Sequence, residues 1–518
     1  MAASWVSLML DFLSSSFFEI SPSQILTTVF CTVLLGVFLG RKRKKNLPPS
    51  PAGSWPVVGH LPLIGSRAPY QKLTEWRSRY GDVYSIRMGT SDVVVLNGYR
   101  AVREALVDNR EVFADRPDNY IVDGMSGWGQ GIATTKWSQS YRERRRFATA
   151  ALKSLGMKAG SDTVEKNVLE EVHSLRDRIS ETKGRPIFLS EDLSIATANV
   201  IASMVFGRRF EYDDSYIRGL TDALLLAYIK IGDSQAINLF PLLRFVPIGE
   251  EVGWEALDCG RKVDDFIREE IQRHRETAPS SGEPRDFIDL CLLEIDKDKV
   301  DVTSGAGLTE EHMVFMVHDL FFAGIETIHS TLLWGFLYLA THQDIQEKVQ
   351  AELDSVMGQD PSSDLTLAHR PQLPYTEATL MEVQRIRYVV PLSIPHATAA
   401  DVTFRGYQLP AGTTVIANLW SIHMDPEYWP DPERFDPERF LDVEGEVINN
   451  PDSFLPFSAG RRVCLGGLLA KMELFLVFAS LLRHFTFQLP EGAAVPSTLG
   501  CFGITMSPRP FQLCVRSR

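Results

Sequence analysis

The sequence predicts a mainly helical fold with small β-sheets, placed behind an N-terminal membrane anchor. Residues from about 140 to 355 carry helical patterning, and strand-like runs are confined to two patches near 83–96 and 402–417. Strands and helices do not alternate along the chain. The glycine-rich segment 127–131 lacks the flanking strand of a dinucleotide-binding fingerprint. These observations argue against a doubly wound α/β protein.

Composition narrows the class further. The chain has 518 residues, which predicts two domains or one large domain, and its hydrophobic fraction of 44% supports a sizeable core. A net charge of −13 argues against nucleic-acid binding. The cysteines are widely spaced and form no C-x-x-C pair, which predicts a reducing compartment. They are Cys31, Cys259, Cys291, Cys464, Cys501 and Cys514.

The N-terminus predicts an uncleaved anchor. Residues 22–40 are largely apolar and uncharged, so they can span a thin bilayer, and the basic run 41–45 follows at once. Positive charge stays cytoplasmic, which directs the N-terminus to the lumen and the bulk of the chain to the cytosol. A cleaved signal peptide would carry its charges first. Residues 1–21 contain Asp11 and Glu19 and are predicted to be lumenal or interfacial.

Residues 41–56 are basic and then proline-rich, which predicts a short, semi-rigid hinge before a large domain over 57–518. The runs 83–88 and 92–96, split by Gly-Thr-Ser, predict a hairpin, and a second strand-rich patch follows at 402–417.

A long helix is predicted from Leu308 to Leu339. Thr309 is a good N-cap, and Glu310 and Glu311 suit the first turn, where the helix dipole favours acids. At 1.5 Å per residue the helix should approach a length of about 45 Å.

The middle of this helix combines small and polar residues. Ala323 and Gly324 would let a flat cofactor or small ligand come close, and Glu326 and Thr327 would place a carboxylate and a hydroxyl beside that gap. The alternative is a packing glycine with a threonine bonded back to a carbonyl. Asp319, one turn earlier, could contact a cationic substrate, but we favour a structural partner of a loop N–H or an arginine.

A second constellation is the segment 457–466, just before the apolar run 468–482. Cys464 lies between glycines at a predicted helix N-terminus, where the dipole and free N–H groups favour thiolate over thiol. A lone thiolate suits a haem iron better than zinc. Gly460 and Gly466 permit tight turns, and Arg462 can hold a carboxylate bidentately. The alternative is a buried structural cysteine.

These two segments carry a family resemblance. Residues 457–466 follow F-x-x-G-x-R-x-C-x-G and resemble the haem-binding loop of cytochromes P450. Residues 323–327 resemble the oxygen-activation motif [AG]-G-x-[DE]-T, although Ile328 and His329 replace the Thr or Ser that often follows. The resemblance extends over the chain after the anchor and is to animal microsomal P450s of the family 2 clan. It implies the cytochrome P450 fold, a triangular helical haem domain.

The resemblance also implies site residues. Cys464 would be the axial thiolate of haem b (heme b, iron protoporphyrin IX), Thr327 would hold a water where oxygen is activated, and Glu326 would feed protons. The positions that would contact the cofactor are Arg116, Tyr141, Arg145, Ala323, His396, Phe457, Arg462 and Gly466. Tyr141 stands where the family has tryptophan, and Trp137, one turn earlier, is the alternative. Glu382, Arg385 and Arg439 resemble the family's structural triad.

The implied reaction inserts one atom of O2 into a lipophilic substrate, such as a fatty acid, a steroid or a xenobiotic. Electrons would come from NADPH through NADPH-cytochrome P450 reductase, with cytochrome b5 as a further partner, at the endoplasmic reticulum membrane. A basic face near Arg142 and Arg144 would dock the reductase. Two rivals stay open: a P450-fold isomerase or synthase, and a haem sensor or carrier.

Overall fold

A computed structural model describes residues 46–89, 91–157, 162–245, 247–277, 283–300, 307–358, 363–448 and 451–518. The predicted lumenal or interfacial segment 1–21, the anchor 22–40 and the basic run 41–45 lie outside these ranges.

Helices dominate the described chain, as the sequence predicts. In chain order they are α1 Leu61–Ile64, α2 Pro69–Tyr80, α3 Gly98–Arg103, α4 Tyr120–Met125, α5 Gln139–Ser154, α6 Asp162–Glu181, α7 Leu189–Val205, α8 Ser215–Asp233, α9 Gln235–Leu239, α10 Pro247–Glu276, α11 Phe287–Val300, α12 Glu310–Thr341, α13 Gln343–Met357, α14 Pro374–Ile386, α15 Trp420–His423 and α16 Gly467–His484.

The strands form small sheets. They are β1 Val83–Met88, β2 Ser91–Asn97, β3 Pro186–Ile187, β4 His396–Ala397, β5 Val402–Phe404, β6 Tyr407–Leu409, β7 Thr414–Asn418, β8 Phe485–Gln488, β9 Cys501–Phe502, β10 Met506–Ser507 and β11 Leu513–Ser517. The order of the largest sheet is β1-β2-β7-β4, and β5 pairs with β6 in a separate hairpin. The predicted hairpin is confirmed, since β1 and β2 pair antiparallel from Val83 opposite Leu96 to Met88 opposite Ser91.

Helix α12 is the central element of the core. Thr309 caps it as predicted, because its side chain accepts a hydrogen bond from the backbone N–H of His312. Within the described part of the chain it is the one helix long and apolar enough to cross a membrane, yet 72% of its most apolar window is buried inside the protein. It packs against α7, α16 and α14, so its apolar character reflects a core position.

The proline-rich segment is held against the sheet. The backbone N–H of Ser85 donates to the carbonyl of Pro49 at 2.7 Å, and the Ser85 hydroxyl donates to that of Pro48 at 2.8 Å. The stretch from Pro48 onward is therefore fixed to β1 and belongs to the folded domain.

Candidate functional site

One internal cavity brings the two sequence constellations together. It has a volume of about 290 Å³ and lies between α12 and the loop that precedes α16. Ala323, Gly324 and Thr327 line it from the helix side, and Phe457 and Cys464 line it from the loop side. Two segments almost 140 residues apart in sequence thus face each other across one space.

The cysteine loop is shaped by a required glycine. Gly460 has φ +76°, and a Cβ there would lie 1.8 Å from the carbonyl oxygen of Leu106, so a side chain is excluded by the protein itself. The backbone N–H of Cys464 donates to the Phe457 carbonyl at 3.0 Å and closes the loop. Gly466 has φ −85° and no atom near its Cβ position, so nothing in the protein alone demands glycine there.

Cys464 is exposed, but to the cavity and not to the outer surface. It is the cysteine among the described residues that lines this space. Burial raises the pKa of its thiol, while the Gly466 N–H and the charge of Arg145 act in the opposite direction. The expectation that the loop favours the thiolate is therefore wrong for the protein by itself. The Gly466 N–H and Arg145 favour the thiolate, as expected for this loop. Burial favours the neutral thiol more strongly until a cation such as iron is present.

Three arginines meet at one end of the cavity without an acid. Arg116, Arg145 and Arg462 all line it, and no carboxylate of the described chain forms an ion pair with any of them. Burial, followed by the charges of Arg462 and Arg145, lowers the pKa of Arg116 to about 9. Three cations that oppose one another need anionic charge from outside the chain. A cofactor with two carboxylates, as haem has, fits this requirement.

Arg462 is oriented by backbone oxygens and aromatic rings. Its Nε donates to the Ala114 carbonyl at 2.7 Å and its Nη2 to that of Thr135 at 2.6 Å. The guanidinium carbon lies 3.8 Å from the ring centre of Tyr141 and 5.9 Å from that of Trp137. Of the two rings Tyr141 lines the cavity, and its buried hydroxyl has no hydrogen-bond partner within the described chain. That free hydroxyl is suited to a cofactor carboxylate.

His396, expected to contact the cofactor, does not line the cavity. It is buried, and burial, with the charge of Arg116, lowers its pKa well below the usual value. Its Nδ1 lies 2.7 Å from the carbonyl oxygen of Phe113, which can only accept, so Nδ1 carries the hydrogen. The neutral ring therefore adds no positive charge to the arginine cluster.

Glu326 and Thr327 face different surroundings. Thr327 lines the cavity, and its hydroxyl donates to the Ala323 carbonyl at 2.8 Å. Glu326 is buried outside the cavity lining, and its Oε1 accepts a hydrogen bond from the Ser330 hydroxyl at 2.8 Å. Burial raises its pKa to about 7, against smaller effects of the Ser330 and Thr505 hydroxyls. A carboxyl with this pKa can take up and release protons near neutrality.

The alternative geometry for this helix segment is also present. A Cβ at Gly324 would lie 3.3 Å from the Ile201 side chain, so this glycine does serve helix packing. The Thr327 hydroxyl is bonded back to a carbonyl, as that interpretation requires. Gly324 and Thr327 therefore meet the requirements of both interpretations, helix packing and ligand access, and the geometry of this helix segment is the same for each.

Asp319 has the structural role that the sequence favoured. Its Oδ2 accepts hydrogen bonds from the backbone N–H groups of Ile132 at 2.5 Å and Ala133 at 2.9 Å. Burial raises its pKa in spite of these two donors. The carboxyl also borders the cavity, so it fixes the loop that forms one wall.

The proposed triad residues come together in a buried cluster. Arg385 donates to both carboxylate oxygens of Glu382, at 2.6 and 2.7 Å, and both side chains are fully buried. Arg439 approaches the same carboxylate at 3.5 Å. The cluster ties α14 to the segment 437–440, upstream of the cysteine loop.

One arginine differs from its predicted position, and another lines the cavity although it was not predicted to do so. Arg144, expected on an exposed docking face, is buried and donates to the Gln130 carbonyl, so that expectation is wrong for this residue. Arg142 and Arg146 are exposed on the same helix. Arg387 was missed, although it lines the cavity. Its position two residues after Arg385, at the end of α14, was the available signal.

Comparison with known proteins agrees with this geometry. The sequence model of the family described as Cytochrome P450 matches residues 48–515. Cytochrome P450 2U1 of Bos taurus is 36% identical over 519 residues, covering 95% of this chain and 93% of the relative. Cytochrome P450 2D15 of Canis lupus familiaris is 37% identical over 507 residues, covering 96% and 98%. The chain therefore belongs to the cytochrome P450 family, among its animal microsomal members, as a haem-thiolate monooxygenase.

Proposed function

We propose that this monooxygenase oxidises a lipophilic organic molecule, with Cys464 as the axial haem ligand and electrons from NADPH through NADPH-cytochrome P450 reductase. The observation that carries the proposal is the single cavity that holds one cysteine, a three-arginine cluster and the helix gap at Ala323 and Gly324. Cysteine, cationic cluster and gap match the three needs of a bound haem: an axial ligand, carboxylate partners and room above the ring.

Haem bound here would supply the activation of dioxygen that transfers one oxygen atom to the substrate and releases the other as water. The chain's own residues hold the group and manage protons. Arg116, Arg145 and Arg462, with the Tyr141 hydroxyl, would hold the haem carboxylates. Phe457 and Gly466, which line the cavity from the loop side, would contact the cofactor.

Proton supply falls to two neighbouring residues of α12. The Thr327 hydroxyl donates to a carbonyl and keeps its lone pairs free to accept a hydrogen bond from a water in the cavity. The Glu326 carboxyl, with a pKa of about 7, passes protons towards that water through side-chain or solvent contacts. Neither residue needs to touch the substrate.

The remaining lining supports the proposed substrate class. Ile132, Leu320, Ile328 and Val390 present apolar surface to the cavity. Apolar walls with few polar groups suit a fatty acid, a steroid or a xenobiotic. We also propose a single membrane span over residues 22–40 at the endoplasmic reticulum, with the domain in the cytosol, where reductase and cytochrome b5 can reach it.

Changing Cys464→Ser tests the axial ligand. The reduced carbon monoxide complex of the parent should show the long-wavelength Soret band of a thiolate-bound haem, and the variant should lose it because a serine hydroxyl stays protonated. Cys501→Ser, at an exposed position of β9 that does not line the cavity, is the control and should keep the band. Persistence of the band in the Cys464 variant would refute the assignment.

A substrate screen tests the reaction class. The full chain, reconstituted with reductase and NADPH, should convert members of a fatty acid, steroid and xenobiotic panel to products one oxygen atom heavier by mass spectrometry. Conversion of a lipid hydroperoxide without reductase, and of nothing in the panel with it, would favour an isomerase. A stable oxygen complex with no product from any compound would favour a sensor.

A further inference from the structure

A second cleft lies on the outer side of the domain, apart from the sequence motifs. It has a volume of about 660 Å³, within the range of ligand pockets in proteins, and opens between α12, α13 and the segment 433–438. Tyr338, Trp420 and Phe435, all buried, form its floor with Tyr70. These rings pack closely, with centroids 4.6 Å apart for Tyr70 and Trp420 and 4.7 Å for Tyr338 and Phe435.

The charges of this cleft are divided between floor and rim. Asp344, Lys348, Glu433, Arg434 and Glu438 are all exposed at the rim. There Lys348 pairs with Glu438 at 2.9 Å and Arg434 with Asp436 at 3.1 Å, so each rim cation already has an acid. Exposed pairs of this kind are well screened by water and salt.

Arg387 is the charged group of the floor. Its guanidinium carbon lies 5.5 Å from the ring centre of Tyr338, 5.8 Å from that of Trp334 and 6.0 Å from that of Trp420. Its Nη1 donates to the Ile386 carbonyl at 2.7 Å, its Nε is buried without a partner, and no carboxylate of the described ranges forms an ion pair with it. A positive group in an aromatic floor thus lacks a negative counterpart.

The haem carboxylates do not explain this arginine. Arg116, Arg145 and Arg462 already supply that cluster, whereas Arg387 contacts the aromatic residues of the outer cleft. Burial raises the pKa values of Tyr70 and Tyr338, and the charge of Arg387 opposes it, so its field acts on both cleft tyrosines. Arg387 also lines the haem cavity and so forms part of the wall between the two spaces.

We infer that the outer cleft is a second ligand site, which binds a flat organic anion of the aryl carboxylate class through Arg387. The carboxylate would pair with the guanidinium at the floor, where low polarity strengthens the ion pair. The aromatic part would pack on the rings of Tyr338, Trp420 and Phe435. The solvent-exposed, charged rim would lie beside the outer edge of the ligand without forming specific contacts with it.

The test measures binding of 2-naphthoate to the full-length holoenzyme by isothermal titration. The haem iron is first ligated with 4-phenylimidazole, so that naphthoate cannot bind at the iron. The parent should bind naphthoate at least tenfold more tightly than 2-naphthamide, which has the same rings but no charge. Tenfold corresponds to about 1.4 kcal/mol.

Matched variants assign the site. Arg387→Gln should weaken naphthoate at least tenfold and leave naphthamide unchanged, and Arg387→Lys should fall between the two. Arg434→Gln removes the same charge from the rim and should change naphthoate affinity less than threefold. The carbon monoxide spectrum and melting temperature establish that each variant is folded.

Three results would overturn the inference. Loss of naphthoate binding when the iron is ligated would place the anion in the haem cavity. Equal affinity of parent and Arg387→Gln would remove the arginine from recognition. Equal affinity of naphthoate and naphthamide for the parent would show that the site does not distinguish a charged from an uncharged ligand. This comparison uses the parent alone, so it holds even if the Arg387 variants fail to fold.

Discussion

At the scale of single residues, the two residues of the proposed proton relay are adjacent on α12 but face different surroundings. Thr327 faces the cavity and keeps only a carbonyl of its own helix as partner, whereas Glu326 is turned into the protein towards Ser330. A helix rotates by about 100° per residue, so consecutive side chains must face different surroundings. The hydroxyl can therefore hold a water in the cavity while the carboxyl stays out of reach of the substrate.

Thr327→Ala should uncouple the enzyme without unfolding it. The variant should keep the carbon monoxide spectrum and its reductase-driven NADPH use, because neither depends on the hydroxyl. Product should fall by about 10² to 10⁴, the usual worth of a positioned proton donor, and hydrogen peroxide should rise in its place. Thr331→Ala, one turn later on the same cavity wall, is the matched control and should stay near the parent. Equal product per NADPH in the Thr327 variant and the parent would exclude the relay.

Glu326→Gln should remove a component of the pH dependence of stability. The pKa of Glu326 is raised from 4.5 to about 7, so between these values the folded state binds a proton that the unfolded state has lost. Stability from this group is therefore fully present below about 4.5 and is lost as pH rises towards 7 and beyond. Relative to the variant, the parent should lose about 2–3 kcal/mol between pH 5 and 8 by denaturant titration. Parallel pH profiles of the two proteins would contradict a raised pKa.

At the scale of elements, the cysteine loop is held by its neighbours. Gly460 rests against the Leu106 carbonyl, Arg145 donates to the Val463 carbonyl, and Arg462 bridges to the segments around Ala114 and Thr135. Each contact comes from a different part of the chain. The loop geometry is thus set by packed elements and less by the loop's own sequence.

Arg385→Met should destabilise the domain strongly. It would leave the Glu382 carboxylate fully buried, with Arg439 at 3.5 Å and the Asp436 N–H at 3.0 Å as remaining partners. Breaking a buried pair in this way costs about 3–5 kcal/mol. Melting temperature and haem retention should both fall. Arg100→Met breaks an exposed pair with Glu427 and should leave both unchanged. Comparable losses in the two variants would mean that burial of the triad does not matter.

At the scale of the whole molecule, structure that depends on neighbouring residues could be predicted from the sequence, whereas contacts between distant segments could not. The hairpin of β1 and β2 and the capped start of α12 follow from turn and capping residues within a few positions. The parallel pairing of β2 with β7, from Val93 opposite Thr414 onward, joins segments more than 300 residues apart and has no local signal. Burial of Arg144 depends on where Gln130 comes to lie, and the role of Arg387 depends on three rings from distant helices.

Burial of Arg144 also changes the surface on which a reductase can dock. Arg142 and Arg146 remain exposed on α5, whose Arg145 contacts the cysteine loop at Val463. Charge on this helix therefore lies close to Cys464, the proposed axial ligand, where a short path for electrons would be needed. Exposed charges steer association, and salt screens them over about 10 Å at 0.1 M.

Turnover supported by reductase should therefore fall as ionic strength rises, whereas peroxide-supported turnover should not. Charge reversal at Arg142 and Arg146 together should raise the KM for reductase and flatten this salt dependence, because the attractive charges are gone. Charge reversal at Arg268 and Arg275 together, two exposed arginines that pair with Glu311 and Glu310, changes the net charge by the same amount and should leave the salt dependence intact. The same salt sensitivity with peroxide, or in both reversed proteins, would remove α5 as the docking element. In that case the reductase would have to dock on a surface other than the one that carries Arg142 and Arg146.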